Sequence, residues 1–327
     1  MAQHFLLSKA ARTLSLSAVA RMSDEEARAA FQAVRWAANG GEPYCPKCGC
    51  LKVYAFATRP VWKCSACAYQ FSVTSGTIFA DRKRPVRDYL LAIAIFVNGV
   101  KGYSALQLSR DLDCQYKTAF VLAHKLREAI EAEQRQPREL SGEVEVDGAY
   151  FGSTVRHPNI RAERADHRLA SEQTGKRQVV VIMRQRGGRS LPVVVGKESD
   201  AVPLIRSRVA SGTIVHADEG SGWNVLHASY DMRRINHSIA YSLDGACTNQ
   251  AESYFSRLRR SEIGVHHRVC GRLLGRYASD MAWREDHRRV SNGEQLHAVA
   301  MLAAKHPMSR EWRGYWRRNH TAHVDHA

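Results

Sequence analysis

The chain has 327 residues, of which 44% are hydrophobic, and its 48 Lys and Arg against 32 Asp and Glu give a formal net charge of +16. This hydrophobic content supports a folded core and excludes wholesale disorder, and the length fits roughly two to three domains. The positive charge favours nucleic acid as the partner, ahead of an anionic membrane surface. Because the sequence contains neither an 18-residue apolar run nor a clean signal-peptide core, we expect a cytoplasmic protein without a membrane span.

The first predicted helix begins at a capping box. Ser23 is followed three residues later by Glu26, a spacing in which each side chain can hydrogen-bond the backbone N–H of the other residue. The sequence Asn39-Gly40-Gly41 is typical of a helix end. We therefore expect a helical N-terminal segment over residues 1–41.

Two Cys-x-x-Cys pairs separated by 15 residues follow this segment: Cys45, Cys48, Cys64 and Cys67. Two tight turns that each supply two thiolates provide the four ligands of a closed tetrahedral zinc site, and the residues between the pairs predict two short strands. The pattern predicts a zinc ribbon over residues 42–75 with one structural Zn²⁺, which holds the fold rather than catalyses. Free buried thiols and redox chemistry are the alternatives, and Cys50 falls outside the spacing.

Three helices are predicted next, at about residues 85–98, 104–112 and 117–133. Short helices joined by tight turns and carrying exposed Lys and Arg fit a helix-turn-helix that places one helix in the major groove of DNA. We therefore expect a DNA-binding region over residues 80–136. A plain helical bundle that links two domains is the alternative.

Alternating apolar and acidic residues from Glu143 to Gly152 predict a strand with its carboxylates on one face. Asp147 is a poor core residue, because burial of an unpaired charge costs several kcal/mol, and its place is explained if a cation binds there. Two more strands, a helix capped by Asp200 and a strand that ends at Asp218 are predicted to follow. In an RNase H-like fold the first and fourth strands are neighbours, so these two aspartates would meet.

After a long polar loop at residues 153–178 and the strands above, a fifth strand is predicted at residues 235–241. A helix then begins at Thr248-Asn249 and carries Glu252 on its first turns. We expect the α/β domain to span residues 141–290 and a basic tail to span residues 291–327. The tail suits nonspecific DNA contact, with a solvated terminus as the alternative.

Three motifs in this region resemble those of the IS1595 family of DDE transposases: Val146–Gly152, His216–Asp218 and Thr248–Arg260. The segment Tyr277–Arg289, which contains Met281–Arg284, is similar to the one that follows the last catalytic helix in that family. The resemblance implies a zinc ribbon, a helix-turn-helix and an RNase H-like catalytic domain in this order.

The resemblance also implies the site. Asp147, Asp218 and Glu252 would be the acidic triad that binds Mg²⁺ or Mn²⁺, and Arg259 would contact a phosphate near the cut. The third position in the family is Glu or Asn, so Asn249 could be a ligand with, or instead of, Glu252. We favour Glu252 because a carboxylate binds a hard cation better than an amide does.

The activity implied is nicking at the ends of an insertion sequence, followed by attack of the 3′-OH on target DNA, by a homo-oligomer on DNA in a bacterial, nucleoid-associated setting. Two alternatives remain: a DNA-binding regulator with an inactive RNase H-like domain, and a nuclease without strand transfer. The residues Glu145 and Glu219 flank the aspartates and could tune the site, whereas His216 is expected to pack.

Overall fold

The computed structural model describes residues 4–151, 159–163, 178–236, 242 and 246–317. The helices in chain order are α1 Leu16–Arg21, α2 Asp24–Arg35, α3 Val86–Asn98, α4 Ala105–Asp111, α5 Tyr116–Gln134, α6 Val202–Arg208, α7 Asn249–Ser261, α8 Leu274–Asp286 and α9 Asn292–Lys305. The strands are β1 Val53–Ala55, β2 Trp62–Cys64, β3 Gln70–Phe71, β4 Glu143–Phe151, β5 Gln178–Gln185, β6 Ser190–Val195, β7 Ile214–Asp218 and β8 Asp231–Ile235.

The chain forms two compact units. We call residues 1–133 with 289–327 the ribbon–helix unit, and residues 134–288 the sheet unit. None of the described helices combines the length and apolarity needed to cross a bilayer.

The capping box predicted for α2 is confirmed. The Ser23 hydroxyl accepts from the Glu26 N–H at 3.1 Å, and the Glu26 carboxylate accepts from the Ser23 N–H at 2.7 Å. The helix ends at Arg35, and a short 3-10 turn leads to Gly40 in the left-handed region.

The ribbon is a three-stranded antiparallel sheet in the order β1-β2-β3, so the two predicted strands are confirmed and a third is added. Its small core forms around Trp36, which is 1% exposed and packs its ring against Trp62 at 5.5 Å and Phe71 at 6.4 Å. The Arg35 guanidinium donates to the backbone carbonyls at residues 72, 73 and 75. The ribbon therefore has an aromatic anchor besides its cysteines.

The three helices predicted after the ribbon are present as α3, α4 and α5. Four residues separate α4 from α5, and Asp113 takes a positive φ of 45° in that turn. The described part of the expected tail is structured: α9 begins at a second capping box, Ser291 with Glu294, and the Asn292 side chain donates to Asn98 and accepts from the Thr13 N–H.

The sheet unit is built on a five-stranded sheet in the order β6-β5-β4-β7-β8. The first three strands along the chain pair antiparallel, and β4–β7 and β7–β8 pair parallel. This confirms the predicted RNase H-like arrangement, with the first and fourth strands as neighbours. The register pairs Val146 with Ala217, so the next residues, Asp147 and Asp218, lie side by side.

The two faces of this sheet bury separate clusters. On one face Val144 and Val146 pack with Ile205 of α6 and Trp223. On the other face β4 packs in a cluster with α7 and α8, which contribute to it Ala251, Tyr254, Phe255, Leu258, Leu274, Ala278, Met281 and Ala282. The second face therefore brings α7 onto the strand that carries Asp147.

Two predicted details differ from the structure. Asp200 does not cap a regular helix: its carboxylate accepts from the Lys197 N–H at 2.9 Å within a 3-10 turn, Glu198–Ala201, and α6 begins at Val202. The fifth strand is β8, which lies earlier in the chain than predicted. The Arg233-Arg234 pair interrupts its apolar alternation, so the sequence pattern did not indicate a strand there. The remainder of the predicted strand, residues 237–241, and most of the predicted loop at 153–178 lie outside the described residues.

Candidate active site and zinc site

The four cysteines of the ribbon meet at one point. Their sulfur atoms all lie within 4.8 Å of one another. The Sγ of Cys48 is 3.6 Å from that of Cys64 and 3.5 Å from that of Cys67. A Zn–S bond of about 2.3 Å in tetrahedral geometry places sulfurs about 3.8 Å apart, so the cluster fits zinc. Burial opposes ionisation of Cys45, yet backbone N–H groups at residues 47 and 48 lower its pKa to about 7. Cys50 lies outside the cluster and its thiol faces the Lys52 carbonyl.

Asp147 lies at the centre of a group of carboxylates. Its Oδ1 accepts from the Gly148 N–H at 2.7 Å. Burial, together with the negative charges of Asp218, Glu198 and Glu252, raises the pKa of Asp147 to about 7 against the lowering effect of that hydrogen bond. The negative charges of the other two acids of the predicted triad, Asp218 and Glu252, therefore both act on Asp147.

Asp218 is held by the turn that follows β7. Its Oδ1 accepts from the indole Nε1 of Trp223 at 2.9 Å and from the Gly220 N–H at 3.1 Å. The Arg234 guanidinium donates to the backbone carbonyls of Asp218 at 2.6 Å and Gly220 at 2.7 Å. These contacts fix both the side chain and the backbone of the second aspartate.

Glu252 is half-buried near the start of α7, and Glu145 holds that end of the helix. The Oε2 of Glu145 accepts from the N–H groups of Gln250 at 2.8 Å and Ala251 at 3.1 Å. Unpaired N–H groups and a partial positive charge mark a helix N-terminus, so a carboxylate is stabilising there. Glu145 thus sets where α7 begins and, through it, where Glu252 lies.

The acidic group is more open than the zinc site. Among the described residues, the four ribbon cysteines are the set of possible metal ligands whose donor atoms all lie within 4.8 Å of one another. The described carboxylates around Asp147 do not form such a set. A site for two ions about 3.5–4 Å apart requires ligands that are spread more widely than those of one ion. The described carboxylates therefore do not form a closed cage for a single ion.

Comparison with known families decides the assignment. Residues 22–70 match the transposase zinc-ribbon domain, and residues 139–286 match the ISXO2-like transposase domain. Both families describe IS1595 transposases, and the two ranges together span more than half of the chain. The chain belongs to the IS1595 transposase family.

A curated relative agrees with this assignment. The protein described as an uncharacterized protein in transposable element ISH50 of Halobacterium salinarum is 24% identical over 296 residues, which cover 86% of this chain and 97% of the relative. The zinc-ribbon family and the four clustered cysteines together support a structural zinc in this transposase.

A buried polar network lies beside the acids of the transposase. Arg186 pairs with Glu143 and, at 3.0 Å, with Glu145, which is 1% exposed. The fully buried His216 contacts Glu143 through Nε2 at 3.1 Å. Burial, followed by the positive charge of Arg186, lowers the pKa of His216. This histidine packs, as expected, and Glu145 is engaged by α7 and Arg186 rather than directed at the aspartates.

The two remaining predicted residues lie on α7. Asn249 is its exposed first residue, one turn before Glu252. Arg259 is exposed two turns after Glu252, and its guanidinium lies over the rings of Phe151 at 5.7 Å and Phe255 at 6.0 Å. The structure places both on the helix of the third acid, and their roles stay predictions.

Two residues of the site were missed from the sequence. Trp223 donates to Asp218, and Glu198 lies against the backbone of Gly148, where an added Cβ would be 2.6 Å from the Glu198 Oε1. The signal for Glu198 was weak: an acid in a turn three residues after a strand, where charged residues are common. The Trp223 ring packs in the core, and nothing in the sequence indicates that its N–H donates to Asp218.

Proposed function

We propose that this chain is an active DNA transposase that nicks insertion-sequence ends and joins the 3′-OH to target DNA in a metal-dependent reaction. The observation that carries the proposal is the adjacency of Asp147, within β4, and Asp218, at the end of the parallel strand β7, with the charge of Glu252 also acting on Asp147. The match to a transposase domain supports the reaction class.

Asp147, Asp218 and Glu252 are the residues that would hold Mg²⁺ or Mn²⁺. Carboxylate oxygens are the ligands that these hard cations prefer, and the raised pKa of Asp147 reflects burial and then the neighbouring negative charges, which a divalent cation would offset. When bound, a pair of such ions stabilises the attacking and leaving oxygens of phosphodiester transfer. Asn249 is the candidate for an additional ligand.

The protein's own side chains position the three acids and contact the DNA. Glu145 fixes the start of α7, and Trp223 orients Asp218, so the acids are placed before substrate arrives. Arg259, exposed and braced on two aromatic rings, is placed to contact a DNA phosphate. In the helix-turn-helix region, the four residues from Gln115 to Thr118 at the start of α5 are all exposed, which suits a helix whose N-terminal end contacts DNA.

A cleavage assay tests the proposal. Purified protein, Mg²⁺ and labelled end DNA should yield nicked product, and Asp147→Asn should abolish nicking while DNA binding is retained. The matched control is Asp231→Asn, because Asp231 is an exposed acid on the neighbouring β8. Binding without nicking by the unsubstituted protein would favour the regulator.

A second DNA molecule in the assay separates transposition from hydrolysis. We expect the cleaved 3′ ends to become covalently joined to it, which a denaturing gel detects as a longer labelled strand. Nicking without joining would favour the nuclease. Because the reaction engages two ends, we also expect at least a dimer on DNA, which light scattering of the protein–end complex would measure.

A further inference from the structure

Glu198 enters the acidic site from a separate part of the chain. It begins the 3-10 turn Glu198–Ala201, after the edge strand β6, and its side chain lies between two glycines. A Cβ built on Gly148 would be 2.6 Å from the Glu198 Oε1 and 2.8 Å from its Cγ, and one built on Gly222 would be 3.4 Å from the Glu198 Cβ. The side chain of Glu198 therefore occupies the space that a larger residue at position 148 would need.

The backbone of Gly148 does not explain why this position is glycine. Gly148 is paired with Val181 inside β4, and its φ is outside the positive range that favours glycine. Glycine within a strand weakens the strand and often marks a close approach by another group. At this position the approaching group is the carboxylate of Glu198, directly after the first acid of the site.

The charges around Glu198 are also unusual for a surface glutamate. Burial raises the pKa of Glu198, and the negative charge of Asp218 raises it as well. Glu198 therefore lies within electrostatic range of Asp218 as well as against the backbone of the residue that follows Asp147.

We propose that Glu198 is a fourth carboxylate ligand of the divalent-cation site, and that position 148 is glycine in order to admit it. The proposal rests on the proposed function, since it extends the same cation site by a residue from outside the triad. It predicts that cation binding depends on the turn after β6 as well as on the two strands and α7.

Binding of Mn²⁺ to the full-length, zinc-loaded protein without DNA tests the role of Glu198. Glu198→Gln should weaken Mn²⁺ binding, measured by calorimetry or by the signal of free Mn²⁺ in electron paramagnetic resonance, by at least about tenfold. Glu139→Gln is the matched control, because Glu139 is an exposed glutamate of the same unit, and it should bind Mn²⁺ as the unsubstituted protein does.

Thermal melting separates a ligand from a merely structural residue. Without divalent cation, Glu198→Gln should melt at the same temperature as the unsubstituted protein or higher, because one of four repelling carboxylates is removed. With Mn²⁺, its rise in melting temperature should be smaller. Lower metal-free stability together with unchanged Mn²⁺ affinity would overturn the proposal.

Gly148→Ala provides an independent test. The added methyl group should displace the flexible Glu198 side chain and weaken Mn²⁺ binding, whereas in a Glu198→Ala background the same substitution should have little further effect. Equal effects in both backgrounds would show that Gly148 acts without Glu198 and would overturn the proposal.

The proposed function can fail separately. If Asp147→Asn loses Mn²⁺ binding and nicking while Glu198→Gln keeps both, the transposase chemistry stands and the fourth ligand does not. If the unsubstituted protein neither binds Mn²⁺ nor nicks DNA, the proposed function itself is wrong.

Discussion

The carboxylate of Glu145 accepts a hydrogen bond from the backbone N–H of Gln250 at 2.8 Å. Glu145 lies two residues before Asp147 on β4, and Gln250 lies two residues before Glu252 on α7. One buried carboxylate thus joins the strand of the first acid to the helix of the third acid. The placement of Glu252 depends on a residue that need not touch metal or DNA.

Replacement of Glu145 should therefore impair catalysis through position. Glu145→Gln keeps the volume but removes the charge that faces both the α7 N-terminus and Arg186, so we expect a loss of about 2 kcal/mol in the free energy of unfolding. Nicking should fall, and binding of end DNA should remain. Urea denaturation and the cleavage assay measure the two effects, with Asp231→Asn as the control. Full nicking activity in Glu145→Gln would contradict the role assigned to this contact.

The stability of the metal-free protein should depend on pH through Asp147. The pKa of its carboxyl is raised in the folded protein from 3.8 to about 7, so folding favours the protonated form. This contribution to stability is complete below the pKa that Asp147 has in the unfolded chain, and it is lost as the pH rises through about 7.

Comparison with Asp147→Asn isolates this contribution, because the amide does not titrate. The melting temperature of the variant relative to the unsubstituted protein should rise between about pH 4 and pH 7 and then level off. Buffers should lack divalent cations but contain no chelator, which would remove the zinc. A difference that is constant over this range would show that Asp147 titrates normally.

Much of this architecture could be predicted from the sequence because it depends on local patterns. Capping at Ser23, the Cys-x-x-Cys spacing and the strand alternation around Asp147 are each set by neighbours along the chain. The adjacency of Asp147 and Asp218 followed from the order of the strands once an RNase H-like fold was assumed. A similar local signal, the Ser291–Glu294 capping box, could have revealed α9.

The missed residues depend on tertiary contacts. Glu198 reaches Gly148 because the chain returns past the sheet after β6, and no spacing rule connects the two positions. Trp223 donates to Asp218 because a 3-10 turn, Ser221–Ala228, reverses the chain directly after β7. In both cases the residue type was visible in the sequence, but its partner was not.

Trp223→Phe should separate the two roles of this side chain. The phenyl ring keeps most of the packing of a fully buried indole, while the donor to Asp218 is lost. We expect nicking to fall by about tenfold, as is typical when a group that orients a metal ligand is removed. Trp283→Phe is the control, because Trp283 is 2% exposed in the same unit and packs on His287. Equal activity in the two variants would remove Trp223 from the site.

The zinc site should tolerate loss of Cys50 but not of Cys64. We expect one zinc per chain by elemental analysis, and Cys64→Ser should lose zinc and solubility because a ligand is removed from a closed site. Cys50→Ser, the control from outside the cluster, should retain both. If Cys64→Ser keeps full zinc occupancy and unchanged melting, the ribbon assignment is wrong.

The start of α5 offers a test of the helix-turn-helix against the plain bundle. Lys117 is exposed in the first turn of α5, and its ammonium lies 5.3 Å from the centre of the Trp316 ring, whose Nε1 donates to the Lys117 carbonyl. A lysine held at this position can reach a phosphate when the helix enters the groove. Lys117→Ala should therefore weaken binding of all DNA sequences and reduce the slope of log affinity against log salt by about one.

The control is Lys305→Ala, since Lys305 is an exposed lysine at the end of α9, and it should leave the slope unchanged. Identical slopes for both variants would place DNA elsewhere on the ribbon–helix unit and favour the bundle.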